Sequence, residues 1–401
     1  MIAVLLAQTI AITGGTVYPV SGPKIENGTV LIRDGRIAGV GTNVPVPPDA
    51  TRIDAAGKWV TPGLFDSGTQ LGLTEIGAVQ ETNEGTFRGN DVAASFNVAA
   101  GINPASQLIP VTRVEGVTTT LVAPAGGGLI TGQGVVIDLA GATVAEMLAR
   151  PGPSAMLVDM TAKQAGGGSR AGVVQRLRRV FDDALEYDRR RAEYRRDQTQ
   201  ELAASAADLE ALLPVLQGQL PLVAYANRRS DIENAVRLAQ DYRLRLIVAG
   251  GAEAWEVADR LAAAAVPVVL IPLTNIPTYT QLGARYDNAA RLARAGVQVA
   301  IMSGDSHNSR NIRQEAGNAV SYGLAWDQAL RAVTLGPAEL WGVADRYGSL
   351  EVGKVANVVV WSGDPFEFAT GVERVLIRGQ RISLRSRHTE LLERYRSLPP
   401  H

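Results

Sequence analysis

The sequence predicts an α/β fold: a (β/α)8 TIM-type barrel plus a small β-sandwich formed by both chain ends. Two observations carry that prediction. The middle of the chain alternates short apolar runs with helical stretches, and both ends are rich in short strands separated by turns. A chain of 401 residues, 46% hydrophobic and 20% charged, is long enough to bury the core such a fold needs.

Taken in order, residues 10–20 are β-rich, Glu26-Asn27-Gly28 is a turn signal, and residues 29–33 form another strand. Asp34-Gly35 then closes a hairpin into residues 36–40. In the middle, residues 118–122, 222–225, 246–249, 268–271 and 299–302 are apolar runs of the kind buried on both faces of a parallel sheet. Helical stretches at 232–242, 253–264 and 288–295 lie between several of them, giving βα units. Residues 170–216 read as a charged helical excursion. Its acids and arginines are interleaved, which favours pairing along a solvated helix over a basic nucleic-acid face. Near the end, residues 357–361, 372–378 and 379–381 return to β character. The expected organisation is a composite sandwich from 9–57 and 347–385, a barrel at 58–346 carrying the 170–216 excursion, and a tail at 386–401.

Composition narrows function. The net charge of −1 gives no reason to expect nucleic acid or an anionic membrane as partner. The chain has no cysteine, which excludes disulfides, thiol catalysis and cysteine-based zinc sites. No apolar run approaches the roughly 18 residues of a membrane span. The start, MIAVLLAQ, reads either as the end of a secretory signal or as a first strand; periplasmic or secreted location is the expectation, with cytoplasmic as the alternative.

Five motifs together resemble the amidohydrolase superfamily, nearest its imidazolonepropionase-like branch. Residues 58–66 (KWVTPGLFD) are similar to the end of its first barrel strand, and 348–361 (GSLEVGKVANVVVW) followed by Gly363-Asp364-Pro365 to its return into the sandwich. Residues 222–232 (LVAYANRRSDI), 246–255 (LIVAGGAEAW) and 301–307 (IMSGDSH) are similar to the ends of the fifth, sixth and eighth strands. The resemblance implies zinc in relatives, held by two histidines on strand one, one each on strands five and six, and an aspartate on strand eight. Carried over position by position, those sites are Gly68, Gln70, Tyr225, Gly250 and Asp305. Only the aspartate stands.

Histidine usage agrees. The chain has three histidines, His307, His388 and His401, two of them in the tail. A tightly held transition metal needs about three nitrogen, sulfur or carboxylate donors in suitable geometry. No cofactor is therefore expected. Catalytic candidates reduce to Asp305 with His307, a carboxylate–imidazole pair able in principle to act as a general base, set against the plainer reading of a strand-end hydrogen bonder with a loop histidine. Asn227, Glu253, Trp255 and Arg310 are candidate pocket residues. Tyr225, Gln70 and Glu253 are expected to fill part of the volume a metal centre would take. The glycine-rich run 124–134 leads into another strand, so it reads as a loop with close backbone approach and not as a phosphate cradle. Lys163 is one of few lysines in an arginine-dominated chain; some relatives carboxylate a barrel lysine to bridge two metals, a role not expected here with no imidazoles to complete such a centre.

The functional expectation is a non-catalytic or partner subunit on this fold, with a hydrolase of carbon–nitrogen bonds through a degenerate, metal-poor site as the alternative. A small-molecule ligand, and a homo- or hetero-oligomer with a related amidohydrolase, are the expected partners. The apolar positions Val173, Val174, Leu177, Val180, Phe181 and Leu185 of the helical excursion need a surface, either the barrel itself or such a partner.

Overall fold

The structure, a computed structural model, describes residues 9–194 and 202–396. Residues 1–8, on which the export reading rests, lie outside the described residues, as does His401. Numbered along the chain, β1 (Thr9–Val17), β2 (Ile25–Arg33), β3 (Arg36–Gly41), β4 (Thr51–Asp54) and β5 (Trp59–Pro62) come first. Next come β6 (Leu64–Thr69), β7 (Val117–Val122), β8 (Ile130–Asp138), β9 (Ala155–Asp159), β10 (Leu222–Ala226), β11 (Leu246–Gly250), β12 (Val268–Leu270) and β13 (Val299–Ile301). The last three are β14 (Val358–Trp361), β15 (Val372–Ile377) and β16 (Gln380–Arg381).

The chain ends build one sheet, ordered β16-β15-β14-β5-β1-β2-β3, with β4 also paired to β1. Its alternation separates two environments, as period-2 side chains must. Ile10, Ile12, Val30, Ile32, Val60, Val358 and Val360 meet in one core, while Val359, Trp361, Val375 and Ile377 join the core that includes the barrel's outer face. The Glu26-Asn27-Gly28 signal is not a turn. It lies inside β2, where Asn27 has φ of 51° and the pairing with β1 shifts register. A positive-φ residue that ends one hairpin can equally make a bulge in another.

The second sheet runs in chain order from β6 to β13 and is nearly closed. A hydrogen bond from the Gly304 amide to the Gly68 carbonyl, at 3.0 Å, ties its last strand to its first. The barrel is not wholly parallel: β8 runs antiparallel to both β7 and β9. The glycine-rich loop therefore joins two adjacent strands directly at the mouth, with no helix between. Leu64, Val122, Leu222, Val248, Val268 and Ile301 face the surrounding helices, while Phe65, Leu121, Val223, Ala249, Val269 and Met302 point inward.

The charged excursion belongs to the barrel wall. Helix Arg170–Arg189 opens at Ser169, whose side chain accepts from the Gly172 amide, and it packs with helix Ala206–Leu216 in the crossover from β9 to β10. Val173, Leu177, Val180 and Phe181 are fully buried at helical spacing, and the Phe181 ring stands edge-on to Tyr242 at 5.3 Å. Leu185 is left exposed. The apolar stripe thus finds its cover within the chain. No helix among the described residues is long and apolar enough to cross a membrane.

Candidate barrel-mouth site

In a barrel of this kind the working residues lie at the C-terminal ends of the strands. Counting from β6, Gly68 lies near the end of the first strand with Gln70 just beyond. Tyr225 lies on the fifth, Gly250 ends the sixth, and Asp305 follows the eighth. The small residues Gly68, Ala123, Ala249 and Gly304 help to line an open volume of about 300 Å³ within the mouth. Leu121, Val223, Val269 and Met302 supply apolar walls, Trp341 reaches it as well, and Ser67, Gln70, Thr131, Asp159 and Tyr225 add polar groups.

The residues at the five corresponding positions do not fit a transition metal. At Gly250, φ is +85°, and a Cβ built there would stand 2.4 Å from Asn227 Oδ1 and 3.1 Å from the Tyr225 ring. A side chain at that position is opposed by both backbone and neighbours. At Gly68 an added Cβ would meet the Met302 sulfur at 3.1 Å. Both Asp305 oxygens are taken by Asn308, one by its amide and one by its side-chain Nδ2, each at 2.7 Å. His307 is exposed on the same loop, and among the described residues no hydrogen bond joins it to Asp305. The carboxylate–imidazole pair is therefore not assembled. No group of three or more His, Cys, Asp or Glu among the described residues is placed to hold a metal ion.

None of the four pocket candidates is among the described residues that line the cavity. Asn227 sits beside Gly250, its Oδ1 accepting from the Ala252 amide at 3.4 Å. Glu253 turns away: its carboxylate accepts from the Arg229 amide at 2.8 Å and the Gly283 amide at 3.0 Å, binding the start of helix Arg229–Tyr242 to a loop. Trp255 donates to the Gly283 carbonyl at 2.7 Å and lies under Arg285 and Arg291. Arg310 contacts His388 at 3.2 Å. Of the three residues expected to fill the mouth, Tyr225 and Gln70 line it and Glu253 does not. Among the described residues, no hydrogen bond links Tyr225 or Gln70 to one another or to Asp305.

Sequence reasoning passed over Asp66 as a site group, although it is the best-held carboxylate of the region. It is fully buried. Ser303 Oγ and Ser309 Oγ donate to one oxygen, and the Gly68 and Ser303 amides, at 3.1 and 3.0 Å, to the other. Burial pushes it up to about 6, against the pull of those donors. Its work is to lock β6 to the segment after β13. Asp159 was also missed. It ends β9, a short run that the apolar pattern did not single out, and among the described residues it is the sole carboxylate lining the cavity.

With the barrel, its closing strand and the terminal sheet in place, comparison with known proteins is decisive. The chain is similar over 94% of its length to all of a solved amidohydrolase from Thermotoga maritima, with TM-score 0.84 and 28% identity. A family model described as amidohydrolase family matches residues 280–382. An imidazolonepropionase from Pseudomonas putida is 27% identical over 90% of this chain and 95% of its own length. The chain belongs to the amidohydrolase superfamily, on its imidazolonepropionase-like branch. An amidohydrolase, tasK, from Hapsidospora irregularis is 24% identical over 88% of this chain, which spans only 39% of that relative. As an amidohydrolase-superfamily barrel, the chain combines the expected strand order with a mouth walled chiefly by apolar and neutral polar side chains.

Proposed function

We propose that this amidohydrolase-superfamily chain is a non-catalytic or partner subunit whose barrel mouth holds a small ligand and does not perform metal-dependent hydrolysis. The observation that carries the reading is the donor set. Gly68 and Gly250 offer no donor atom, Gln70 offers only a neutral amide, and Asp305 is committed to Asn308. Metal-dependent hydrolases lower the pKa of a bound water and polarise a carbonyl, and neither task has an evident agent among these groups. Relatives named as hydrolases support the alternative, a metal-poor hydrolase of carbon–nitrogen bonds. Such an enzyme would need a base, and Asp305 with His307 is not arranged as one.

The test is an activity screen of the full chain against cyclic amides, dipeptides and imidazolone-type substrates, with and without added zinc. No turnover above the uncatalysed rate in either condition is the expected result. Turnover, with or without zinc, would replace this reading with the hydrolase one.

A further inference from the structure

The mouth is not a neutral void, because one carboxylate stands among its neutral polar groups. Among the described residues Asp159 is the sole carboxylate lining the cavity, and no lysine or arginine lines it. Asp159 Oδ1 is held by the Thr161 amide at 2.7 Å and its hydroxyl at 2.6 Å. Oδ2 faces the glycine-rich loop, 3.7 Å from where a Cβ at Gly126 would stand, and receives no donor among the described residues. Lys163, four residues on, is exposed and makes no ion pair with it among the described residues. A carboxylate fixed by one oxygen and open at the other, in a cavity without a compensating cation, attracts a cationic donor and repels an anion.

The enclosed part of the cavity carries a second, independent signal. Ser67 Oγ and Trp341 Nε1 both belong to residues lining the cavity, are 2% and 1% exposed, and have no hydrogen-bond partner among the described residues. Leu340, next to Trp341 in the chain, lines a groove with Pro221, Leu246, Pro267 and Gln298 at the starts of β10 to β13, which puts Trp341 toward the end of the barrel opposite Asp159. A buried indole N–H left unpaired costs free energy, and it asks for an acceptor. Between the two polar ends lie Leu121, Val223, Val269 and Met302.

Resting on the ligand-binding reading above, we propose that the barrel binds a protonated amine with a compact apolar or aromatic body and an oxygen at its far end. The ammonium pairs with Asp159 at the mouth. The body lies against the apolar walls, and the oxygen accepts from Trp341 and meets Ser67.

Calorimetric titration of the full chain with tyramine, phenethylamine and 4-hydroxyphenylacetate tests this, because none of the three contains a bond the hydrolase alternative would cleave. Tyramine should bind at least about tenfold more tightly than the anion, since a charge-assisted pair replaces like-charge repulsion. Asp159→Asn keeps the oxygen that accepts from Thr161 and should abolish that preference. Trp341→Phe should narrow the gap between tyramine and phenethylamine. Equal binding of amine and anion, or a preference that survives Asp159→Asn, overturns the proposal. Amine selectivity that depends on Asp159 in a chain that also shows turnover would uphold this inference while removing the non-catalytic reading.

Discussion

Position 250 shows how far a single residue decides what a barrel mouth can hold. Its left-handed backbone and the nearness of Asn227 Oδ1 mean that any side chain there must displace a neighbour. Buried carboxyls in the same region are governed by a different balance. Glu315 lies 6% exposed on helix Ile312–Ser321, accepts from the Leu273 amide at 2.7 Å, and is pushed up to about 7, first by burial and then by the Asp66 charge. A carboxyl raised in the folded state stabilises most when protonated. Its contribution is complete below its ordinary 4.5 and is lost as pH rises through about 7. Glu315→Gln should therefore flatten the pH dependence of stability between about pH 5 and 8, by on the order of 3 kcal/mol. Thermal and denaturant unfolding at both pH values measure it. An unchanged slope would show that Glu315 does not titrate in that window.

Among the elements, the helix Arg170–Arg189 shows where sequence pattern sufficed. Its apolar residues recur at helical spacing, and the structure buries four of them against the barrel. Phe181→Ala should cost about 3–5 kcal/mol, the range for emptying an aromatic core site, whereas Leu185→Ala, at an exposed position, should stay within about 0.5 kcal/mol. Equal losses at both sites, read from denaturant unfolding, would mean that the stripe is covered from outside the chain. The pattern was less informative at β8 and β9. An antiparallel strand buried on both faces has the same apolar run as a parallel one, so direction was not legible, and β9 is only five residues long. The same brevity hid Asp159. Asp66 ends the motif at residues 58–66, yet its four hydrogen bonds come from residues more than two hundred positions away or from the Gly68 amide beside it, and long-range partners leave no local trace. Glu253, Trp255 and Arg310 stood near strand ends as expected, but loop geometry set their directions.

At the scale of the whole molecule, barrel and terminal sheet are joined through a buried carboxylate. Asp138, at the far end of β8 from the mouth, accepts from Arg378 Nε at 2.7 Å, Asn357 Nδ2 at 2.8 Å and the Tyr347 hydroxyl at 3.0 Å. A buried charge met by this many donors fixes relative position more surely than apolar contact alone. The interface is thus at one end of the strands and the mouth of the cavity at the other, so interface and mouth are held by different residues. That separation accounts for a chain that keeps the superfamily's closing strands and terminal sheet while its mouth carries glycine, glutamine and tyrosine. The account stands most directly on metal content. Full-length protein produced with ample zinc, dialysed against metal-free buffer and analysed for zinc, manganese and iron should carry far less than about one equivalent per chain. Stoichiometric metal that survives dialysis and resists chelator would contradict it.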